Sequence, residues 1–383
     1  MIELRGITWG HTRGFAPLAA LGRVWEDAHP EERVTWTARS LWSFGEEPLE
    51  PYLDAFDLLV FDYPFAGEAL ERGWVIPLET LLDAATLGER RTGTIGPLHD
   101  AFRHEGGQAA LAIDVATHVS ASRPDLLARL GVEQPESWPA VLSLARRGAV
   151  AMPMRPTGVW GAWLSLCANR GAPPFAAHDG PAFVEDIAAA ALDDLSALAA
   201  LMPAWCREAY PVGLLNRMAE EDTIAFVPMT YGYSTYSLRG YGRHRIAFHP
   251  LPSGTGHGRG AILGGAGIGV SARSRNAAPA ARHAAWLTSP DIQSTLYVAF
   301  GGQPAARAAW LDPRHDEPTL GFFRAVRESA EHPYVRPNRP GFHDFQNRAS
   351  RLLHRVVIEG GAVLPALREV AAAWHALPPG AAE

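Results

Sequence analysis

Two short stretches decide the fold: Leu58-Leu59-Val60-Phe61-Asp62 and Ala110-Leu111-Ala112-Ile113-Asp114. Each is an unbroken apolar run closed by a carboxylate. A strand with one wet face alternates apolar and polar residues, whereas a strand covered on both faces of a parallel sheet reads as a continuous apolar run. Four apolar residues are too few for a helix, so both runs predict buried strands ending at their aspartates. Upstream, Leu4 to Trp9 is a third apolar run, Phe15, Leu18, Leu21 and Trp25 step along one helical face, and Val34-Thr35-Trp36 alternates like a strand. Strand and helix signals in alternation give an α/β fold.

Downstream the same alternation continues. Ser137 before Trp138-Pro139 and Val141, Leu142 and Ala145 predicts a helix start with a capping serine and an early proline. Val184, Ile187, Ala188, Ala191, Leu195, Leu198 and Met202 form the clearest helical stripe, a core face. Ile224-Ala225-Phe226-Val227 predicts a buried strand. Ile246-Ala247-Phe248 leads into Pro250-Leu251-Pro252-Ser253-Gly254 and on to Gly260, the best candidate for a linker. Ile262 to Ser271 is apolar but interrupted by glycines, and Pro290 to Phe300 predicts a helix capped by Ser289. Two helical stripes follow, Phe345, Ala349, Leu352, Leu353 and Val356, then Leu364, Leu367, Val370, Ala371 and Trp374. The tail Pro378 to Glu383 reads as frayed.

At 383 residues the chain exceeds the size of a usual single core, so two lobes are expected. Its 47% hydrophobic and 20% charged residues are those of a globular protein. A net charge of -7 with no dense basic run argues against a nucleic-acid partner. All 34 basic residues are arginine. The absence of lysine excludes a P-loop, a pyridoxal Schiff base and a kinase-type strand lysine. Cys167 and Cys206 are far apart and fit no metal or redox spacing, and both read as buried core residues. The 15 histidines never form H-E-x-x-H and no G-x-S-x-G elbow occurs, so neither a metal nor a cofactor nor acyl-transfer chemistry is expected. The run Gly264-Gly265-Ala266-Gly267-Ile268-Gly269 is out of register with G-x-G-x-x-G and predicts a close backbone approach rather than a nucleotide site. No apolar stretch of about 20 residues is available for a membrane. The opening Met1 to Arg5 has none of the marks of a secretion signal, which leaves a trimmed export signal or a cytoplasmic protein as the expectations.

In open α/β sheets, ligands bind beyond the carboxyl ends of the strands. The predicted exits are Trp9-Gly10-His11-Thr12-Arg13, Asp62-Tyr63, Asp114 to Thr117, and Thr230-Tyr231-Gly232-Tyr233, to which Trp160 is added. Aromatic faces to cover the CH surface of a ring, with carboxylates, hydroxyls and a guanidinium for its polar groups, suit a small polar ligand. Each residue also has a plainer reading: Asp62 and Asp114 as turn caps, Trp9 and Trp160 as core, and His11 and Arg13 as a solvated loop.

The order of segments resembles a known family. Gly106-Gly107-Gln108 through Ala112-Ile113-Asp114, Arg123-Pro124-Asp125-Leu126-Leu127, Leu130-Gly131-Val132 and Ser137-Trp138-Pro139 resemble the central signature of family 1 extracellular solute-binding proteins. Gly301-Gly302-Gln303-Pro304 and Pro340-Gly341-Phe342 extend the resemblance toward the end of the chain. The opening Gly6-Ile7-Thr8-Trp9-Gly10-His11 is similar to a sugar-type subgroup. The resemblance implies a type II periplasmic-binding fold. It has one α/β lobe from residues 1–113 and 262–310, another from 114–261 and 311–383, crossings near residue 113 and in the Pro250 to Gly260 region, and a hinge with the ligand closed between the lobes. It implies a non-catalytic, monomeric receptor for an ABC transporter permease, periplasmic or on the cell surface and not inserted in the membrane. Its ligand would be a sugar or polyol, with Gln303 joining the contact set. The missing signal sequence is the departure from the family pattern. Two alternatives stand beside this reading: a carboxylate or sugar acid drawn by His11 and Arg13, and an enzyme on the same fold, as in thiaminase I, with Cys167 or Cys206 as nucleophile.

Overall fold

The structure, a computed structural model, describes residues 1–177, 179–338 and 341–378. Pro340 of the closing motif and the tail from Pro379 lie outside the described residues. Nine strands occur among the described ones: β1 (Ile2–Trp9), β2 (Glu32–Arg39), β3 (Leu58–Asp62), β4 (Arg103–His104), β5 (Gly107–Gln108), β6 (Leu111–Ser122), β7 (Phe226–Tyr231), β8 (Ala247–His249) and β9 (Leu263–Val270). The chain divides into two compact units. The first holds Met1–Ala116 and Gly264–His315, and the second holds Thr117–Leu263 and the chain from Asp316 onward. The chain passes from one to the other three times, inside β6, inside β9 and after the turn Pro313–His315.

In the first unit β1 runs parallel to β2 along its whole length, from Ile2 opposite Glu32 to Trp9 opposite Arg39, and parallel to β3 on its other side. β9 closes this unit's sheet antiparallel to β3, from Leu58 opposite Val270 to Asp62 opposite Ala266. The helix Thr12–Ala28 lays Leu18, Leu21 and Trp25 into the core, as the three- and four-residue steps require. The Trp25 indole N–H donates to Glu32 at 2.9 Å, and Arg282 donates to the same buried carboxylate at 2.6 Å. Glu32 thus enters the core with both oxygens satisfied.

The glycine run is a strand of close approach. A Cβ on Gly265 would lie 2.5 Å from the Asp114 carbonyl oxygen, and the φ of Gly265 is +139°. On Gly269 it would lie 2.7 Å from the Ala109 carbonyl. Only a residue without a side chain lets β9 settle this near the segment 109–115.

In the second unit β6 pairs antiparallel with β7 and with β8. Helices Pro156–Asn169, Glu185–Ala199, Phe342–Glu359 and Val363–His375 supply its core, where Trp160, Trp163, Phe175, Phe345 and Trp374 form one cluster of rings. Arg123 is fully buried at the end of β6. It donates to Asp125 at 2.7 and 2.8 Å, to Asp222 at 2.9 Å, and to the Met218 and Glu221 carbonyls.

Four local expectations are corrected. The strand at Leu111 does not end at Asp114 but runs on to Ser122, buried along its whole length. Val115 to Ser122 contains no turn-forming residue, and its β-branched and small side chains pack on both faces. The segment Pro250 to Gly260 is not a free linker. It lies within the second unit, where Gly254 N–H donates to Glu136 O, Asn169 holds the carbonyls of His257 and Arg259, and Gly260 N–H donates to His332 O. Ser137 precedes its helix without a side-chain capping bond. Val184 stands just outside the helix Glu185–Ala199 and is half exposed, while Ala188, Ala191, Leu195 and Leu198 carry the buried stripe.

Burial depresses the pKa of six histidines, His354 among them. His11, His118 and His283 fall to about 3, and His99 and His249 to about 4. In the unfolded chain they titrate near ~6.5. As pH falls, the unfolded state binds protons that the folded state refuses, so stability is full above about pH 7 and is lost from about 6.5 toward 4. Thermal melts should show a midpoint flat from pH 8 to 7 and falling steadily below 6.5. A midpoint flat down to pH 5 would mean that these rings are solvated. Separately, Gly265→Ala should lower stability by roughly 2 kcal/mol or more, through the clash with Asp114 O and the forbidden φ, and urea melts would measure it.

Candidate ligand-binding site

Because β1, β2 and β3 are parallel, their carboxyl ends lie on one edge of the first unit's sheet. Three short segments follow them there: Gly10 to Arg13 after β1, Ser40 to Trp42 after β2, and Asp62-Tyr63 after β3. His11 caps the helix Thr12–Ala28. Its backbone is extended and its Nδ1 accepts the Arg13 backbone N–H at 3.0 Å. That bond places the ring proton on Nε2. Burial, followed by the Arg13 charge, depresses the ring's pKa to about 3, so His11 is neutral.

Arg13 and Asp114 form a forked ion pair. Arg13 Nε donates to Oδ2 at 2.8 Å and Nη2 donates to Oδ1, with the two side chains 4% and 1% exposed. Burial raises the Asp114 pKa, and the Arg13 fork opposes that rise. Asp114 is therefore neither a turn cap nor a strand exit, but the mid-strand counter-charge of the first helix. Gln303 is buried beside it, its side-chain amide donating to Val115 O at 2.6 Å while its backbone carbonyl accepts Val115 N–H at 3.3 Å. Asp62 accepts Tyr63 N–H at 3.0 Å, the capping role weighed for it, and Tyr63 is buried.

The Trp9 ring belongs to the core. It lies 5.2 Å from Phe44 and directly over Gly14, where a Cβ would come within 2.2 Å of it. Sequence reasoning missed Trp42. It sits on the helix Leu41–Glu46, which Ser40 caps at 3.0 Å, and is 53% exposed. The strand-exit rule would have found it had β2 been carried to Arg39 rather than left at Trp36. The Arg39 guanidinium lies 5.3 and 5.0 Å from the Phe44 and Tyr52 ring centres and donates to Val60 O, which fixes the base of this segment.

The second unit has its own cluster, where β6 meets β7. His118 is paired with Tyr231, their rings 4.6 Å apart edge to face, and Thr117 O accepts Gly232 N–H at 3.1 Å. Ser165 Oγ accepts Ile262 N–H and lies 3.0 Å from His118 Nδ1, within hydrogen-bond reach. Burial, then Arg336, depresses the His118 pKa to about 3. Tyr233 follows, its ring 6.2 Å from Tyr236. Trp160, offered as a contact residue, packs instead inside the ring cluster and donates to Gln346 Oε1 at 3.2 Å. His118 and Arg336 escaped the sequence reading because the strand was ended at Asp114, eight residues early, and because Arg336 is distant in sequence.

Both thiols are buried, with the pKa of Cys167 pushed up to about 12 and that of Cys206 also raised, each mainly by burial. Among the described residues one group has metal-ligand spacing, Asp125 with Asp222 and His244, and Arg123 already donates to both carboxylates.

No curated protein matches the sequence significantly. Solved structures do match the fold. A maltose-bound MalE3 of T. maritima has a TM-score of 0.82 at 17% identity, over 98% of this chain and 99% of that one. An ABC transporter solute-binding protein of Thermotoga lettingae bound with alpha-D-tagatose gives 0.81 at 15%, with the same coverage. Another from Agrobacterium radiobacter, in complex with ribitol, gives 0.76 at 18% over 98% of both chains. These likenesses establish the two-lobed α/β fold of the periplasmic binding proteins. The family profile described as bacterial extracellular solute-binding protein matches residues 52–318. With well over half of its length in that match, the chain belongs to the bacterial extracellular solute-binding protein family.

Proposed function

We propose that this chain is the receptor of an ABC-type importer and that its ligand is a neutral polyhydroxylated molecule, a sugar or polyol. The observation that carries the reading is the internal neutralisation of Arg13 by Asp114. The carboxyl edge of the first unit then offers a neutral imidazole, the exposed Trp42 ring and the Asp62 acceptor, a set suited to hydroxyls and ring CH surfaces rather than to an anion. Thr117, His118, Tyr231 and Tyr233 of the second unit offer the same chemistry. The tagatose, ribitol and maltose named for the similar structures agree with it.

The reading is non-catalytic. A thiol nucleophile acts as thiolate, and burial keeps both cysteines protonated at neutral pH. Native protein should leave both thiols unmodified by iodoacetamide, and a bound ligand should be recovered unchanged after long incubation. Labelling that abolishes binding, or turnover of the ligand, would support the enzyme alternative.

A thermal-shift screen of sugars, polyols, amino acids and organic acids tests the ligand class, since ligand at about a hundred times its Kd adds roughly 2.7 kcal/mol. Stabilising compounds should be sugars or polyols, with affinity nearly constant between low and high salt. Trp42→Ala should weaken binding about tenfold without changing the melt of the free protein. Hits confined to carboxylates, or affinity collapsing in salt, would overturn the reading.

Asp114→Asn should act first on stability. It strands a buried guanidinium, at a cost of about 3–5 kcal/mol, and urea denaturation of the free protein measures it.

A further inference from the structure

Outside both clusters, the second unit carries a groove of about 490 Å³ lined by Pro156, Arg348, Arg351, His354, Arg355 and Glu369, with Leu352 on its wall. Arg348, Arg351 and Arg355 occur at steps of three and four along the helix Phe342–Glu359 and so share one face. All three are exposed, and none is ion-paired among the described residues. Glu369, from the helix Val363–His375, is the one carboxylate in the lining, so three positive charges face one negative charge on a chain whose net charge is -7.

One further feature has the same sign. Pro156 opens the fourteen-residue helix Pro156–Asn169, whose start has no side-chain capping bond, so its first N–H groups add positive potential at the groove. Arg155, at the same helix end, is engaged elsewhere by Glu208 at 3.1 Å and by the Tyr210 ring.

We propose that this groove binds a phosphate-bearing group, held by the forked donors of Arg348, Arg351 and Arg355. Guanidinium forks match phosphate oxygens in pairs, where an ammonium offers only a point charge. The volume lies in the range of small-molecule sites and exceeds what a lone inorganic ion fills. The same chemistry arises from a soluble phosphorylated molecule and from an anionic lipid headgroup. The inference is independent of the ligand class proposed above, because it uses none of those residues.

The test uses the purified full chain with two probes: inorganic pyrophosphate, followed by calorimetry at low salt, and vesicles of phosphatidylglycerol in phosphatidylcholine, followed by co-sedimentation against phosphatidylcholine alone. At least one probe should bind saturably. Replacing all three arginines with glutamine should weaken that binding roughly tenfold or more, replacing them with lysine about threefold, and Glu369→Gln should tighten it about threefold. All these side chains are exposed, so melts of the variants should match the parent and separate lost binding from lost folding. Pyrophosphate binding alone assigns a soluble ligand, and vesicle binding alone assigns a headgroup. Binding of neither probe, or binding indifferent to the arginines and to Glu369, overturns the proposal.

Discussion

The forked pair between Arg13 and Asp114 is the constraint on which the first unit depends. A guanidinium and a carboxylate have both been taken out of water, a change that costs several kcal/mol per ion unless geometry and hydrogen bonding return it. The return is positional. The pair ties the first turn of the first helix to the middle of β6, two residues before that strand leaves the unit. His11 caps the same helix turn through the Arg13 backbone, so the loop after β1 is fixed by its own side chains. The edge that offers Trp42 and Asp62 is built on this fixed turn.

The second constraint is steric. β9 approaches the segment 109–115 so closely that its glycines leave no room for a Cβ, and Gln303 stitches the same segment from the other direction with both its backbone and its amide. Charge, hydrogen bonding and close packing therefore meet on the segment 109–115, which leads into β6 and forms its start. The second unit solves its own problem differently. It relies on a cluster of five large rings and on Arg123, whose donors satisfy two carboxylates and two carbonyls at a strand end. The contrast follows from composition. The first unit is rich in strand edges that need pairing, while the second is mostly helix and must be filled by volume.

Electrostatics separates the two functional surfaces. Among the candidate ligand residues, the buried His11 of the first unit and His118 of the second are each neutral, and Arg13 of the first is matched, so in each unit recognition falls to shape, rings and hydroxyl partners. In the groove between the last two long helices, the arginines are wet and unmatched, so recognition there is by charge. Salt should distinguish the proposed neutral site from the proposed cationic groove, because screening acts on exposed charge far more than on a neutralised buried pair.

The sequence by itself determined the α/β class, the positions of β1, β2, β3 and β7, the core helices and the close approach of the glycine run, because periodicity and residue size are local properties. It also placed the family, through the order of segments that the profile over residues 52–318 bears out. What it left open was decided by partners far along the chain. Asp114 looked like a strand terminator because a charge in an apolar run normally ends burial, and only Arg13, a hundred and one residues away, makes it an interior residue. Trp160 looked like a ligand platform until Phe175, Phe345 and Gln346 closed around it. Trp42 entered no reading of the sequence, and only the fold shows it exposed. Whether a polar group is matched or a ring is covered depends on neighbours that only the tertiary structure brings together, and local pattern carries no information about them.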